Sequence, residues 1–370
     1  MSQRVVLISP YALSVFGGVQ EQVLAMSRVL STRGADVLVI APDARDQATY
    51  DTPAKIVRLG PRLSLPANGS RAPLTLSPIA ALRAKDAVSY FRPDIVHVHE
   101  PFAPLLAWST LVTHGYPTLG TFHRSGDGPA LRYTRPLLTR LGARLDGAVA
   151  VSDAAAATIQ RAASITCDVL FNGFETERFV DAPRERSVET VLFFVGRLDQ
   201  RKGVATAIEA TREHNAKGGK PWRLVIAGDG PERARLTALA ARDPRVVFLG
   251  LIGDAEKRSW MRRVHVLLAP STHGESFGLV LLEGMASETL VVASDIEGYR
   301  GAANGYATLF HPGDASSLER AVLEALTGET EEKIAAARAY AQNWSMVKLM
   351  DEYETRYELA RQRFTSHQVA

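Results

Sequence analysis

The sequence predicts an α/β protein made of two doubly wound, Rossmann-like domains that face each other across a cleft. Three observations support this prediction. Short apolar runs rich in β-branched residues alternate with stretches of helical periodicity, and this series restarts near the middle of the chain. The length of 370 residues also favours two hydrophobic cores over one. Continuous apolar strands separated by helices indicate parallel sheets that helices cover on both faces.

The first half contains the first helix and seven strand candidates. Val19, Val23, Met26 and Leu30 recur with the 3.6-residue period of a helix, and Gly34 ends that pattern. The strand candidates are Val5–Ser9, Asp36–Ala41, Lys55–Leu59, Ile95–His99, Thr118–Phe122, Ala148–Val151 and Asp168–Phe171.

A domain boundary is expected near Phe171-Asn-Gly-Phe174, which a polar stretch follows at residues 181–187. We therefore predict an N-terminal domain over residues 1–171 and a C-terminal domain over 172–349. A last helix at about residues 350–370 is expected to pack back onto the first domain. The strand candidates of the second half are Val191–Val195, Arg223–Ala227, Val246–Leu249, His265–Ala269, Leu290–Ser294 and Thr308–His311.

Composition excludes several classes of protein. Hydrophobic residues make up 46% and charged residues 22%, as in an ordinary globular protein. The single cysteine, Cys167, excludes a disulfide framework and a cysteine metal cluster, which favours a reducing cytoplasm. No apolar run is long enough to span a bilayer, and the N-terminal apolar run is too short for the core of a signal peptide.

The net charge of +3 is unevenly distributed. Residues 1–171 hold 17 Lys and Arg against 12 Asp and Glu, whereas the remainder holds 26 against 28. A basic first half favours an anionic partner for that half, although this asymmetry could also arise by chance.

Two glutamates stand out in Gly274-Glu-Ser-Phe-Gly-Leu-Val-Leu-Leu-Glu283. On one continuous helix, the eight positions from Glu275 to Glu283 turn through about 800°, so both carboxylates would lie on nearly the same face. Such a helix could hold a ligand rich in hydroxyls at two levels and present the amides of its first turn to a phosphate. For the pair taken alone, an amphipathic helix with two solvated acids is the simpler interpretation.

Two loops that follow predicted strands could contact a phosphate. Phe16-Gly-Gly-Val-Gln20 opens the first helix, and its glycines allow the backbone to approach a ligand. The dinucleotide fingerprint G-x-G-x-x-G is absent, which disfavours a nicotinamide or flavin enzyme. Arg197, Arg201 and Lys202 follow the first strand of the second half, where they could bind a diphosphate or remain solvated.

Further polar residues follow other strands. Asp254 and Lys257 could read the edge of a nucleotide base, or could be surface charges in the first turn of a helix. His123 follows an interior strand, where a histidine facing the cleft is a functional candidate. We interpret His97 and His99 as strand histidines whose hydrogen bonds are satisfied, and not as metal ligands.

Taken together, these segments resemble the family 4 retaining glycosyltransferases of GT-B fold, and most of all the actinobacterial phosphatidylinositol mannosyltransferases. The resemblance covers nearly the whole chain. The segments that carry it are Ser9-Pro-Tyr11, Gly17-Gly-Val-Gln20, His97-Val-His-Glu100, Thr121-Phe-His123, Val151-Ser-Asp153, Asn172-Gly173, Gly196-Arg197, Arg201-Lys-Gly203, Gly250, and Gly274-Glu-Ser-Phe-Gly278 with Glu283.

The resemblance implies a donor site for GDP-mannose in the second domain. The diphosphate would lie against Gly18, with Arg197, Arg201 and Lys202 neutralising it in place of a metal ion. No Asp-x-Asp metal motif occurs, and no cofactor beyond the nucleotide sugar is expected. Glu275 and His123 would act at the transferred sugar. The remaining donor contacts would come from Ile252, Asp254, Lys257, Leu279, Val280 and Glu283.

The resemblance also implies an acceptor side, formed by Tyr11, Gln20, Asn68, Arg71 and Arg124. The sequence departs from the family here. Gly128 stands where the family has a basic residue, Pro73 replaces another basic residue, and Ala67 replaces an aromatic residue before Asn-Gly. These departures concern only the acceptor and leave the donor site intact.

Two basic stretches, Leu74–Tyr90 and Leu131–Leu145, interleave leucines with arginine and lysine. They could rest on an anionic bilayer, or could be helices with a core-facing stripe and a solvated basic face. The resulting hypothesis is a metal-independent retaining mannosyltransferase that binds GDP-mannose, an inositol lipid and the inner face of the plasma membrane, and no nucleic acid. The alternatives are a transferase that uses a UDP-sugar and a soluble or polyprenyl acceptor, and a catalytically silent protein that binds sugar nucleotides.

Overall fold

The structure is a computed structural model, which describes most of the chain. The described residues are 2–15, 17–42, 50–60, 63–67, 70–112, 115–124, 133–180, 187–275, 277–328 and 330–369. They form two compact units. One comprises Met1–Phe174 together with Met346–Ala370, and the other comprises Glu175–Ser345.

The first unit contains a seven-stranded sheet in which all neighbouring strands run parallel. The strand order is β3-β2-β1-β6-β7-β8-β9, so the order reverses between β1 and β6. The bounds of these strands are β1 Arg4–Ile8, β2 Asp36–Ala41, β3 Lys55–Arg58, β6 Ile95–His99, β7 Thr118–Phe122, β8 Gly147–Ala150 and β9 Asp168–Val169. A separate antiparallel hairpin consists of β4 Leu63–Ala67 and β5 Ser70–Leu74.

Helices cover both faces of this sheet. They are α1 Gly18–Thr32, α2 Pro78–Phe91, α3 Leu106–Val112, α4 Arg135–Gly142, α5 Asp153–Ala163 and α13 Met346–Val369. One core cluster joins Val5, Leu7, Met26 and Leu30 to residues of α13, and the other joins the opposite sheet face to α2 and α3. Thus α13, the last helix of the chain, contributes to the core of the first unit.

The second unit contains a six-stranded parallel sheet of order β12-β11-β10-β13-β14-β15, which reverses between β10 and β13. The strands are β10 Thr190–Val195, β11 Trp222–Ala227, β12 Val246–Gly250, β13 Val266–Ala269, β14 Leu290–Ser294 and β15 Thr308–Phe310. The helices are α6 Val204–Ala216, α7 Arg233–Leu239, α8 Asp254–Arg263, α9 Leu279–Ala286, α10 Glu297–Ala303, α11 Ala315–Thr327 and α12 Glu331–Ala341. Short 3₁₀ turns occur at Thr176–Phe179, Gln200–Lys202 and Gln342–Trp344.

The predicted architecture of two parallel sheets with helices is confirmed, and every strand candidate coincides with an observed strand to within a few residues. The hairpin of β4 and β5 was absent from the prediction. Each of its strands contains a proline, Pro66 and Pro73, which lowers strand propensity and is tolerated mainly at edges and in isolated hairpins. Among the described residues, the structure has no helix that is both long and apolar enough to cross a bilayer.

Candidate active site

In the second unit, the reversal of strand order places two loops side by side. The loop after β10 carries Arg197, Arg201 and Lys202, and the loop after β13 carries Glu275. In a doubly wound sheet, ligands bind outside the carboxyl ends of the strands at the point where the order reverses. The backbone joins the two loops directly, because the Thr272 N–H donates to the Arg201 carbonyl over 2.7 Å.

Three side chains converge on one oxygen of Glu275. Its Oε1 accepts hydrogen bonds from Lys202 Nζ at 2.7 Å, from Arg201 Nη1 at 3.1 Å and from Ser271 Oγ at 3.1 Å. Arg201 also donates to the Gly274 carbonyl at 3.0 Å. The cluster therefore combines two cations with one carboxylate in a half-buried position, where charge-assisted bonds are stronger than in water.

Two glycines allow this geometry. Gly203, between Lys202 and α6, has φ +63°, and a Cβ at this position would lie 1.9 Å from the Pro270 carbonyl oxygen. Gly278, which precedes α9, has φ +80°, and a Cβ there would lie 2.6 Å from Tyr299 Cδ1. Only glycine adopts both the left-handed backbone and the close approach at these positions without strain.

The expectation that Glu275 and Glu283 share one helix is wrong. Helix α9 begins at Leu279, so Glu283 lies on the helix while Glu275 lies in the loop before it. The left-handed conformations of Gly274 and Gly278 are the physical reason, since a residue at φ near +80° interrupts a right-handed helix. The two carboxylates are therefore placed by separate elements, and the helical-wheel argument for the pair does not apply.

Sequence reasoning missed a second layer behind Glu275. Tyr299 is buried and donates its hydroxyl hydrogen to Ser271 Oγ at 2.9 Å, and Ser271 in turn donates to Glu275. Burial raises the pKa of the Tyr299 hydroxyl, with the nearby Glu275 carboxylate as a further cause. These two hydrogen bonds in series hold the Glu275 carboxylate in one orientation. Neither Tyr299 nor Ser271 belongs to a motif that the sequence analysis identified.

Glu283 forms a buried ion pair with Lys257, a residue of α8. Lys257 Nζ lies 3.0 Å from Glu283 Oε1, and both side chains are less than a tenth exposed, at 8% and 9%. Lys257 also lies 3.5 Å from Asp254 Oδ1, and Asp254 pairs with Arg258 on the next turn of α8. The structure thus brings Glu283 together with Asp254 and Lys257, which lie on a separate segment of the sequence.

The other donor candidates lie around these two clusters. Arg197 is exposed on the loop after β10, and Ile252 is half-buried in the loop before α8. Leu279 and Val280 are the first two residues of α9, whose amides have no partner within the helix. All four residues therefore lie at the carboxyl edge of the second sheet.

In the first unit, the carboxyl end of β1 leads into Tyr11, Gly17 and Gly18. Gly18 is the first residue of α1 and is exposed, and a Cβ added to it would lie more than 4 Å from the described residues that are not its chain neighbours. Gln20 is buried and donates from Nε2 to the Ala12 carbonyl at 3.3 Å, so it supports this loop. Burial raises the pKa of the Tyr11 hydroxyl, and the Glu100 carboxylate adds to this effect.

Three histidines, His97, His99 and His123, lie together at the ends of β6 and β7. His97 bonds with both ring nitrogens, to Tyr357 Oη at 2.8 Å and to Thr121 Oγ1 at 2.7 Å, which confirms it as a satisfied strand histidine. The same expectation is only half right for His99. Its Nδ1 contacts His123 Nε2 at 2.9 Å, but its buried Nε2 has no hydrogen-bond partner among the described residues.

Glu100, the last residue of the segment His97-Val-His-Glu, is a buried carboxylate with a backbone φ of +47°. Its Oε1 accepts the His123 backbone N–H at 2.6 Å. Burial raises the pKa of Glu100 to about 7, against the lowering effect of the His123 and Arg124 amides and the Arg124 charge. Glu100 therefore fixes the backbone at His123. The sequence analysis included Glu100 in a family motif but assigned it no role.

The remaining acceptor candidates are only partly described. Arg124 is half-buried and lies close enough to Glu100 to influence its carboxylate. Arg71 belongs to β5, for which the backbone pairing opposite Pro66 is defined. Asn68 lies outside the described residues, as does Gly128.

Four titratable groups, of which His97, His99 and Glu100 are buried and His123 is half-buried, predict how the stability of the first unit depends on pH. Burial lowers the pKa of His97 to about 3 and that of His123 to about 4, and it also lowers the pKa of His99. These histidines bind protons in the unfolded chain below about pH 6.5 but remain neutral in the fold. The folded state therefore loses stability as the pH falls. The raised pKa of Glu100 acts oppositely, because the fold retains that proton up to about pH 7.

The three histidines together have a larger effect on stability than Glu100. We therefore expect the free energy of unfolding of the first unit to fall by about 2 kcal/mol per pH unit between about pH 6 and pH 5. Amide hydrogen exchange in β6 and β7, corrected for intrinsic rates, measures this change. Glu100→Gln should steepen the loss, because it removes the one group that opposes it. Stronger protection at pH 5 than at pH 6 would contradict the assignment of the three histidines as neutral in the fold.

Among the described residues, no group of three or more His, Cys, Asp or Glu side chains is arranged to hold a metal ion. The metal-independent donor site stays a prediction.

Comparison with known proteins gives matches in both units. Residues 16–178 match the family model "Glycosyltransferase Family 4", and residues 189–328 match "Glycosyl transferases group 1". The phosphatidyl-myo-inositol mannosyltransferase of Mycobacterium tuberculosis H37Rv is 34% identical over 372 residues, covering 95% of this chain and 97% of that protein. The protein of the same name from Mycobacterium leprae is 34% identical over 367 residues, covering 95% and 96%.

Among solved structures, a glycosyltransferase from Rickettsia africae superposes with a TM-score of 0.73 at 17% identity, covering 97% of this chain and 98% of that chain. This likeness shows the fold, and the full-length relatives show the family. The chain belongs to the glycosyltransferases of GT-B fold, in the family that includes the phosphatidyl-myo-inositol mannosyltransferases.

Proposed function

We propose that this glycosyltransferase transfers mannose from GDP-mannose to an inositol phospholipid, with retention of the anomeric configuration and without a metal ion. The observation that carries the proposal is the cluster in which Lys202 and Arg201 converge on Glu275 at the carboxyl edge of the second sheet. The names of its full-length relatives support the sugar and the acceptor.

The donor diphosphate is assigned to the basic residues of the loop after β10. Lys202 has three donors and gives one to Glu275, and Arg201 contacts the same carboxylate through Nη1. Both cations therefore lie where a diphosphate could take further bonds, together with Arg197 and the first amides of α9. In this assignment, fixed cations neutralise the charge of the leaving diphosphate, a role that a bound metal has in other transferases.

The transferred sugar and the ribose are assigned to the two glutamates. Protein groups occupy Oε1 of Glu275 and Oε1 of Glu283. We assign the Oε2 atom of Glu275 to hydroxyls of the mannose, and that of Glu283 to hydroxyls of the ribose. The carboxylate of Asp254, 40% exposed, is assigned to the N1–H and amino group of guanine, which uracil does not offer in that form.

In the proposed reaction, the bond between the anomeric carbon and the β-phosphate oxygen breaks while an inositol hydroxyl attacks from the same face of the sugar. The proton of that hydroxyl passes to the departing phosphate oxygen, and GDP leaves. Retention then needs no protein base, so the protein must position the sugar and stabilise developing charge. We place His123 beside the anomeric carbon, and Tyr11, Gln20, Asn68, Arg71 and Arg124 on the acceptor side.

The exposed face of α2 supports a peripheral position on a membrane. Ile79 and Leu82 are 64% and 62% exposed, and Tyr90 is 92% exposed. The opposite face of α2 buries Ala80, Ala84 and Val88, so the helix has a core-facing stripe as well as an apolar outer face. Arg83 and Lys85 are exposed beside the apolar residues. Apolar anchors flanked by basic residues favour the surface of an anionic bilayer, and we propose the inner face of the plasma membrane.

A matrix of donors and acceptors tests the proposal. The purified protein is incubated with GDP-mannose, UDP-glucose or UDP-N-acetylglucosamine, each with vesicles that do or do not contain phosphatidylinositol. Nucleotide release and the mass of the lipid product are measured with and without a chelator. We expect a hexosylated phosphatidylinositol only with GDP-mannose and the inositol lipid, at an unchanged rate in the chelator.

Turnover of a UDP-sugar with no product from GDP-mannose would contradict the proposed donor. Release of GDP without a lipid product would contradict the proposed acceptor, and loss of activity in the chelator would contradict the metal-independent site. Absence of turnover despite tight binding of GDP-mannose would favour the catalytically silent alternative.

A further inference from the structure

A hydrogen bond between His99 and His123 links the proton positions of the two rings. His99 Nδ1 and His123 Nε2 are 2.9 Å apart. The ring centroids are 5.1 Å apart with 24° between the ring planes, so the two nitrogens lie between the ring centres and the rings meet edge to edge. This geometry suits a direct N–H···N hydrogen bond, and one ring must donate while the other accepts.

Both rings are neutral in the fold. Burial lowers the pKa of His123 to about 4 and lowers that of His99 well below its ordinary value, with the neighbouring His97 and His123 as further causes for His99. Two neutral imidazoles share a single proton in the contact, so only two arrangements are possible. In one, His99 donates from Nδ1; in the other, His123 donates from Nε2.

The far side of His99 distinguishes the two arrangements. His99 is 1% exposed, and its Nε2 has no hydrogen-bond partner among the described residues. If His123 donated, the proton of His99 would lie on this buried Nε2 as an unpaired N–H. If His99 donates, the same atom is an unpaired acceptor, and buried unpaired acceptors are more common in proteins than buried unpaired N–H groups.

We propose that His99 is a positioning residue that donates from Nδ1 to His123 Nε2 and thereby holds the proton of His123 on Nδ1. His123 then presents a neutral N–H donor from its other ring nitrogen. The inference rests on the proposed function for the site that His123 serves, and it adds that His123 acts as a hydrogen-bond donor to an oxygen of the substrate. Because His123 Nε2 already accepts the hydrogen bond from His99, it cannot take up the proton of the attacking substrate hydroxyl.

The surrounding groups hold both rings in this arrangement. Glu100 fixes the backbone of His123 through the bond of 2.6 Å to its N–H. His97 stacks on His99 at 4.4 Å between centroids, and its own nitrogens are occupied by Tyr357 and Thr121. His99 is therefore restrained by a ring that has its own partners, and its Nδ1 is directed to His123.

Nitrogen-15 NMR of the histidine side chains tests the proposal on the full chain without substrate. At pH 7 we expect His123 to be neutral with its proton on Nδ1. In His99→Phe, which keeps a ring but has no donor, His123 should shift towards the Nε2–H tautomer and kcat should fall about 10- to 100-fold with a smaller change in KM. His99→Asn places an amide N–H near the position of Nδ1, and should restore both the tautomer and most of kcat.

Tyr357→Phe is the matched control, since it removes a bond to His97 but leaves the pair of His99 and His123 intact. The tautomer of His123 should not change in this variant. A proton on Nε2 of His123 in the unsubstituted protein would overturn the proposal whether or not His99→Phe folds. An unchanged tautomer in folded His99→Phe would also overturn it. Neither result depends on which nucleotide sugar or which lipid is the substrate. The proposed function can therefore be wrong while this proposal holds, and the reverse.

Discussion

Replacing Glu275 by glutamine is expected to lower kcat about 100- to 1000-fold, the range found when one preorganised polar group of an active site is removed. Glutamine keeps the shape of the side chain and can still accept from Ser271. It loses the negative charge that holds Lys202 and Arg201, and it weakens the bonds assigned to the mannose hydroxyls. Because GDP lacks the sugar, its affinity should change much less than kcat.

Steady-state kinetics and calorimetric titration of GDP on the same variant measure these two effects. Glu297→Gln is a matched control, because Glu297 is an exposed acid of α10 in the same unit and should leave both quantities unchanged. An unaltered kcat in Glu275→Gln would contradict the role of Glu275 at the sugar. An equal loss of GDP affinity and kcat would place Glu275 at the diphosphate instead.

Lys202→Ala is expected to weaken GDP binding about 10- to 100-fold, which corresponds to the loss of one charge-assisted hydrogen bond of about 1.5 to 3 kcal/mol. Lys202 Nζ lies 2.7 Å from Glu275 in a half-buried position. In Lys202→Ala, water therefore compensates only in part for the lost positive charge. Among the described residues, removal leaves Arg201 as the cation in contact with the Glu275 carboxylate. A diphosphate would then meet more negative charge than in the unsubstituted site.

Calorimetric titration with GDP and with guanosine separates the two parts of the ligand. The loss should appear with GDP and not with guanosine, because guanosine carries no phosphate. Lys220→Ala, at an exposed lysine of the same unit, should bind GDP normally. Unchanged GDP affinity in Lys202→Ala would contradict the assignment of this residue to the diphosphate.

The sequence predicted the two sheets well for a physical reason. Strands such as Thr190–Val195 and Leu290–Ser294 are buried in parallel sheets, so continuous apolar residues mark them without reference to distant parts of the chain. The ends of the same strands then indicated the loops that carry His123, Lys202 and Glu275. These residues were found because of their position in the alternating pattern and through the family resemblance.

Other features depended on the three-dimensional arrangement. Helical periodicity placed Glu275 on a helix, which is wrong. The left-handed conformations of Gly274 and Gly278 interrupt the helix, and a count of 100° per residue does not predict them. The pairing of Lys257 with Glu283 joins two helices that are distant in sequence, and the same is true of Tyr299 behind Ser271. The role of His99 became visible only when one of its nitrogens was seen to contact His123 and the other to be buried without a described partner.

The anomeric configuration of the lipid product tests the central claim most directly. GDP-α-mannose and phosphatidylinositol vesicles are incubated with the protein, and the one-bond carbon–proton coupling at the anomeric carbon of the purified product is measured by NMR. The account predicts a single α-linked mannose on the inositol ring. A β-linked mannose would contradict the retaining mechanism, and a product without mannose on inositol would contradict the proposed transfer itself.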